Sequence, residues 1–266
     1  MEILRNTSKE ELIRAMWSQR DRYRGDMWKT LGATIANLNG CSYYTTNHKF
    51  SNANGVICEG TEMQHPEKTV EHAITFYTEK NLPFCLLTGD TVSQKQFYSY
   101  LQSRGFMLKI EPGLAIDLNL IENLGKVDGK FSIIKGESMK HVDYACEASF
   151  KAFEFPREFC ESHWIETTTI DNRSFFIAMS NNEPVGLSEV FYYKGVAGLY
   201  FVGVSEEARG KGIGTALTLA SLDEAKERGY RWAILFSTEM GLNMYKRIGF
   251  EKVCDLGECH WNIEKI

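Results

Sequence analysis

The residues best suited to chemistry lie between Val202 and Thr215. The order Val202-Gly203-Val204-Ser205-Glu206-Glu207-Ala208-Arg209-Gly210-Lys211-Gly212-Ile213-Gly214-Thr215 reads as a strand entering a glycine-rich turn that opens a long helix. Glycine inside a helix costs up to about 1 kcal/mol, and Arg209 and Lys211 at a helix N-terminus oppose the macrodipole. An anion seated on that terminus removes both objections, because bare backbone N–H groups reach it and the two cations neutralise it. A flexible loop before a surface helix is the plainer alternative.

Two familiar phosphate loops fit poorly. A Walker loop needs G-x-x-x-x-G-K-[ST], whereas Lys211 is followed by Gly212 and no upstream glycine stands at the required spacing. A dinucleotide fingerprint needs G-x-G-x-x-G, whereas Gly210, Gly212 and Gly214 give G-x-G-x-G.

The pattern Arg209-x-x-Gly212-x-Gly214 resembles the pyrophosphate-binding signature of the GNAT superfamily of N-acetyltransferases. The likeness continues into a strand and then a short helix carrying Asn243 and Tyr245 that closes on Gly249-Phe250. It is specific from about Val185 to Val253, extends back to Phe131, and over residues 1–120 concerns only the order of elements. The resemblance implies an α/β fold with a mixed sheet of the acyl-CoA N-acyltransferase type. It implies acetyl-CoA as donor, with its pyrophosphate on the backbone amides of Arg209, Gly210, Lys211, Gly212, Ile213, Gly214 and Thr215. It further implies a pantetheine arm pairing with the strand at Val202, Gly203 and Val204, no metal, and a polar contact from Asn243, whose alternative role is simply to start its helix.

Acetyl transfer to an amine sets three further demands. The carbonyl oxygen needs a hydrogen-bond donor as it becomes negative, and the resemblance points to the Val204 amide. The leaving thiolate, with a pKa near 8.5 for a cysteine-like thiol, is helped by a proton; Tyr245 is the candidate acid. A plain core position on the face shared by Leu242, Tyr245 and Ile248 is the competing reading. A lysine-like ammonium, with a pKa near 10.4, must first lose a proton. Glu189 and Glu239 are the candidate bases, with simple exposed carboxylates as the alternative. His141 and His163 read as satisfied structural histidines, and Phe153 and Phe155 as core that also borders the acceptor site.

The elements around this segment follow one grammar twice. Ser8-x-x-Glu11 is a capping box opening a helix, and the cluster Arg20–Arg24 reads as its solvated face. Strand and helix patterns alternate to Gly105-Phe106, followed by two strands at 106–110 and 114–120. A polar stretch, Asn123–Lys130, is the expected boundary. The succession then restarts, reaches Gly249-Phe250, and ends in two strands at 251–256 and 258–263. An internal duplication is expected, with domains at 1–125 and 131–266. The first half lacks an arginine-glycine cluster after Gly55–Gly60, and Leu101 stands where Tyr245 stands in the second. It is therefore expected to be a degenerate copy that binds no coenzyme A.

Composition excludes other classes. The chain has 266 residues, 43% hydrophobic and 24% charged, with a net charge of −5, the profile of an ordinary globular protein. That balance argues against general nucleic-acid or anionic-membrane binding. The seven cysteines are scattered without a C-x-x-C pair, which predicts reduced thiols and a cytoplasmic location. Cys254, Cys259 and His260 do not complete a zinc site. The expected partner is a small amine or a peptide, and the expected state a monomer or homodimer. Transfer of a longer acyl chain, or non-catalytic binding of acetyl-CoA as a sensor or scaffold, are the alternative functions.

Overall fold

The computed structural model describes every residue except 1–2, 5–6, 39, 47, 59–64, 91–94, 122–128, 156 and 262–266. Most of the expected boundary and much of the stretch after Cys58 therefore lie outside the described residues. The first half contains α1 (Lys9–Thr30), β1 (Thr34–Leu38), β2 (Cys41–Thr45), β3 (Gly55–Cys58), α2 (Pro66–Thr78), β4 (Phe84–Asp90), α3 (Lys95–Ser103) and β5 (Met107–Asp117). The second contains β6 (Ser132–Lys135), α4 (Met139–Phe153), α5 (Arg157–Thr169), β7 (Arg173–Ser180), β8 (Glu183–Tyr193), β9 (Val196–Val204), α6 (Ile213–Glu227), β10 (Trp232–Phe236), α7 (Glu239–Ile248) and β11 (Glu251–Trp261).

These elements form two compact units, one of Met1–Lys9 with Leu114–Lys252, the other of Glu10–Gly113 with Val253–Ile266. Each unit borrows a segment from the far half of the sequence. The unit borders fall inside β5 and β11, the two strands that the sequence pattern breaks in two. Proline fixes a φ compatible with extended backbone, so β5 runs through Pro112. A register shift between Leu256 and Gly257 lets β11 continue where a break was expected.

In the unit bearing the glycine-rich loop, β6, β7, β8 and β9 pair antiparallel, β10 joins β9 in parallel, and β5 lies beside β10. Asn181 and Asn182, both at positive φ, form the tight turn between β7 and β8. Strand alternation feeds two cores. Phe176 and Ala178 enter a cluster with α6 and α7 residues such as Leu217, Leu222 and Tyr245. Phe175 and Ile177 enter another with Val142, Ala145 and Trp164 of α4 and α5. A sheet covered on both faces requires such nearly continuous apolar strands.

In the other unit, β1, β2 and β3 pair antiparallel, β4 joins β3 in parallel, and β11 runs antiparallel to β4. The succession repeats that of β7 to β10 with β5. Two expectations fail here. Arg20 and Arg24 are not solvated: Arg20 is 5% exposed and donates to Asp21 and the Thr88 carbonyl, while Arg24 pairs with Glu258. Arg20 is held by its neighbour Asp21 and a distant carbonyl, and the half-buried Arg24 by a glutamate far along the chain, contacts that a local charge pattern does not fully reveal. Cys41 and Cys58 are not reduced thiols but a disulfide, placed opposite each other by the β2–β3 register with Cα atoms 4.0 Å apart. The remaining cysteines, among them Cys254 and Cys259, are buried and form no disulfide. No helix among the described residues is long and apolar enough to cross a membrane.

Candidate functional site

The site begins where β9 leaves one neighbour and keeps the other. Its parallel register with β10 spans Ala197–Leu199 against Ala233–Leu235, whereas its antiparallel register with β8 continues to Val204 opposite Gly186. The β8 register shifts between Leu187 and Glu189, opposite the region where Phe201 adopts φ +47°. A non-glycine residue in the left-handed region costs of order 1–3 kcal/mol and persists where the surroundings impose it. Past this kink stand Val202, Gly203 and Val204. A Cβ at Gly203 would lie 2.3 Å from Phe153 Cζ and 3.0 Å from Ala152 Cβ, so the α4 ring rests directly on this backbone.

The chain then turns into the loop. Ser205 N–H donates to the Val185 carbonyl at 2.8 Å, and a single 3-10 turn, Glu206–Ala208, leads to Arg209. Gly210 and Gly212 take φ +75° and +79°, conformations that disfavour any side chain. Gly212 is the N-cap of α6 and makes no side-chain cap, while its carbonyl accepts from Ala216 N–H at 3.0 Å. The first N–H groups of a helix have no intrahelical acceptor, so the amides of Ile213, Gly214 and Thr215 sit where an anion is stabilised. Arg209 Nε donates to the Val204 carbonyl at 3.2 Å and Lys211 Nζ to the Glu207 carbonyl at 2.8 Å. Both cations thus fold along the loop itself. These features fit a pyrophosphate held by backbone amides, with no bulky side chain in the way.

Helix α7 packs over the start of α6: a Cβ at Gly214 would meet Met244 Sδ at 3.1 Å. Asn243 is exposed beside it, and Glu239 is exposed in the first turn of α7. Tyr245 is 7% exposed and meets Phe250 edge-on at 5.7 Å. Burial pushes its phenol above the ordinary value of 10, so it is protonated at neutral pH. The helix closes as Gly249 N–H donates to Lys246 and Phe250 N–H to Tyr245. Helix α3 closes in the same way, with Gly105 N–H on Gln102 and Phe106 N–H on Leu101. Leu101 therefore occupies in α3 the position that Tyr245 occupies in α7.

Glu189 has a different setting from Glu239. It is wholly buried, with Oε2 2.9 Å from His163 Nε2 and Oε1 accepting from Arg173 Nη1 at 3.3 Å. Three ionisable groups from α5, β7 and β8 thus meet behind an aromatic wall. Phe153 stacks on Phe155 at 5.4 Å, and the Phe201 ring lies 5.8 Å from Phe153, 5.7 Å from Phe155 and 5.3 Å from His163. His141, in contrast, accepts from the Glu137 amide at the start of α4. No sequence signal links Arg173 to this site, since Glu189, which it meets, is 16 positions away on a separate strand.

Comparison with known proteins bears on the fold and on residues 140–250. Residues 140–250 match the Acetyltransferase (GNAT) family model. An uncharacterized N-acetyltransferase of Methanocaldococcus jannaschii is 33% identical over 93 residues, covering 31% of this chain and 41% of its own length. The chain thus matches less than half of that curated relative. A GCN5-related N-acetyltransferase from Kribbella flavida has a TM-score of 0.65 at 13% identity, with 90% of this chain and 94% of that one covered. A tandem GNAT protein from the clavulanic acid biosynthesis pathway has a TM-score of 0.60 at 14% identity, with 83% and 78% covered. At these identities the structures establish a shared mixed α/β fold.

Proposed function

We propose that this protein is an N-acetyltransferase that moves an acetyl group from acetyl-CoA to a primary amine at the site built by β9, α6 and α7. The observation that carries the reading is the parting of β9 from β10 after Leu199, directly before a glycine loop that opens α6 without a side-chain cap. An extended pantetheine arm fits along Val202–Val204, and the pyrophosphate fits the amides from Arg209 to Thr215.

The donor supplies an activated thioester carbonyl; the chain supplies the rest. The Val204 amide polarises the carbonyl oxygen as the amine attacks. Tyr245, protonated because it is buried, gives its proton to the departing thiolate. Glu239 is exposed and accepts the amine proton through water. Glu189 has both oxygens engaged by His163 and Arg173, and in this reading it positions the wall behind the acceptor. The acceptor is read as a small amine or a peptide amine, and the compartment as the cytoplasm. The first half is read as a degenerate copy, since Leu101 offers no acid at the place of Tyr245.

The test is chromatographic detection of coenzyme A released from acetyl-CoA across a panel of amines. Amine-dependent release that falls about 10²-fold or more in Tyr245→Phe supports the reading. Release equal in both proteins returns Tyr245 to the core, and tight acetyl-CoA binding with no release for any amine or peptide favours a sensor.

A further inference from the structure

The unit formed by Glu10–Gly113 and Val253–Ile266 brings a serine, a histidine and a glutamate together. Ser51 Oγ lies 3.1 Å from His260 Nδ1, and His260 Nε2 lies 3.6 Å from Glu258 Oε2. The other oxygen of Glu258 is held by Arg24. Serine, histidine and carboxylate follow one another in the order that activates a hydroxyl: the carboxylate orients the imidazole, and the imidazole accepts the hydroxyl proton.

Each member is positioned by a separate element. Glu258 and His260 are two residues apart on β11 and so share one face of the strand, opposite Leu87 and Cys85 of β4. Ser51 begins a 3-10 turn, Ser51–Ala53, which is tied to α1 by Trp28 Nε1 donating to the Asn52 carbonyl. Exposure is graded along the chain of contacts. The Glu258 side chain is 8% exposed and that of His260 12%, Ser51 is half-buried, and Asn52 is exposed. Phe50, beside the serine, is 49% exposed and offers an apolar surface to an acyl chain.

We propose that Ser51 is an activated nucleophile, with His260 as its base and Glu258, anchored by Arg24, as the group that orients His260. Its substrate class is a short-chain acyl ester. Ser51 Oγ bonds to the carbonyl carbon while its proton passes to His260 Nδ1. The carbon–oxygen bond to the alcohol breaks, and the alcohol leaves with that proton. Water then attacks the acyl-serine by the same route, releasing the carboxylic acid and restoring the serine.

The full chain is treated with an organic fluorophosphonate, which forms an Oγ–phosphorus bond at an activated serine and expels fluoride. Peptide mass mapping should place a single adduct on Ser51 of the unaltered protein, and p-nitrophenyl acetate should slow its formation. Ser51→Ala should lose the adduct, and His260→Gln should form it about 10²-fold more slowly while keeping the circular dichroism of the parent. Absence of an adduct on Ser51 in the unaltered protein overturns the proposal, whatever the variants do. An adduct formed equally fast in folded His260→Gln also overturns it. Amine-dependent release of coenzyme A should persist in the labelled protein, so each reading stands or falls by its own measurement.

Discussion

The Phe153 ring lies on the backbone of Gly203, so close that a Cβ at position 203 would come within 2.3 Å of Phe153 Cζ. This contact joins α4 to the part of β9 that follows the kink at Phe201, and with it the aromatic wall to the proposed donor strand. Gly203→Ala must push Phe153 aside. Overpacking of this kind costs about 1–3 kcal/mol, so a lower melting temperature and a raised KM for acetyl-CoA are expected. Phe153→Ala in the same chain should recover part of both losses, a coupling that a double-mutant cycle reads directly.

Glu189 is held between His163 and Arg173 in a region shut off from solvent. Glu189→Gln removes the buried charge that Arg173 meets, and breaking a buried pair costs about 3–5 kcal/mol. Thermal unfolding should show a large destabilisation. Glu239→Gln, at an exposed position, should leave the stability within about 0.5 kcal/mol of the parent and lower kcat instead. Equal stability of the two variants would contradict these roles.

Acid sensitivity follows from Glu258. Burial alone would raise its pKa, but the Arg24 charge, the His260 hydrogen bond and Arg20 outweigh burial and hold it well below the usual glutamate range. A carboxylate depressed in the folded state contributes stability in full above its unfolded pKa of about 4.3 and loses it as pH falls toward the folded value. The melting temperature of the unaltered protein should exceed that of Glu258→Gln at pH 7. The gap should close progressively below about pH 4, where glutamic acid and glutamine become electrically alike.

What was legible in the sequence was what local physics dictates. The glycines at 210, 212 and 249 require special backbone, the asparagine pair at 181–182 requires a hairpin, and the Gly105 and Gly249 closures repeat one capping arrangement. The strand–loop–helix from Val196 to Glu227 follows from these signals and the apolar periodicity around them. The features that escaped depend on partners distant in sequence. Arg24 is half-buried against Glu258, and Arg173 and His163 meet Glu189 only when β7, β8 and α5 pack. Cys41 and Cys58 become a disulfide because the β2–β3 register sets them opposite each other. Pro112 and Gly257 look like strand breakers, yet one suits extended backbone and the other follows a register shift.

The central claim is a single coenzyme A site at the N-terminus of α6, and calorimetric titration of coenzyme A into the full chain tests it most directly. One molecule should bind per chain, and Gly212→Val, which places a β-branched residue at φ +79°, should weaken binding at least about tenfold while the fold survives by circular dichroism. Two molecules per chain would give the first half a working site, and unchanged affinity in the folded variant would remove the donor from this loop.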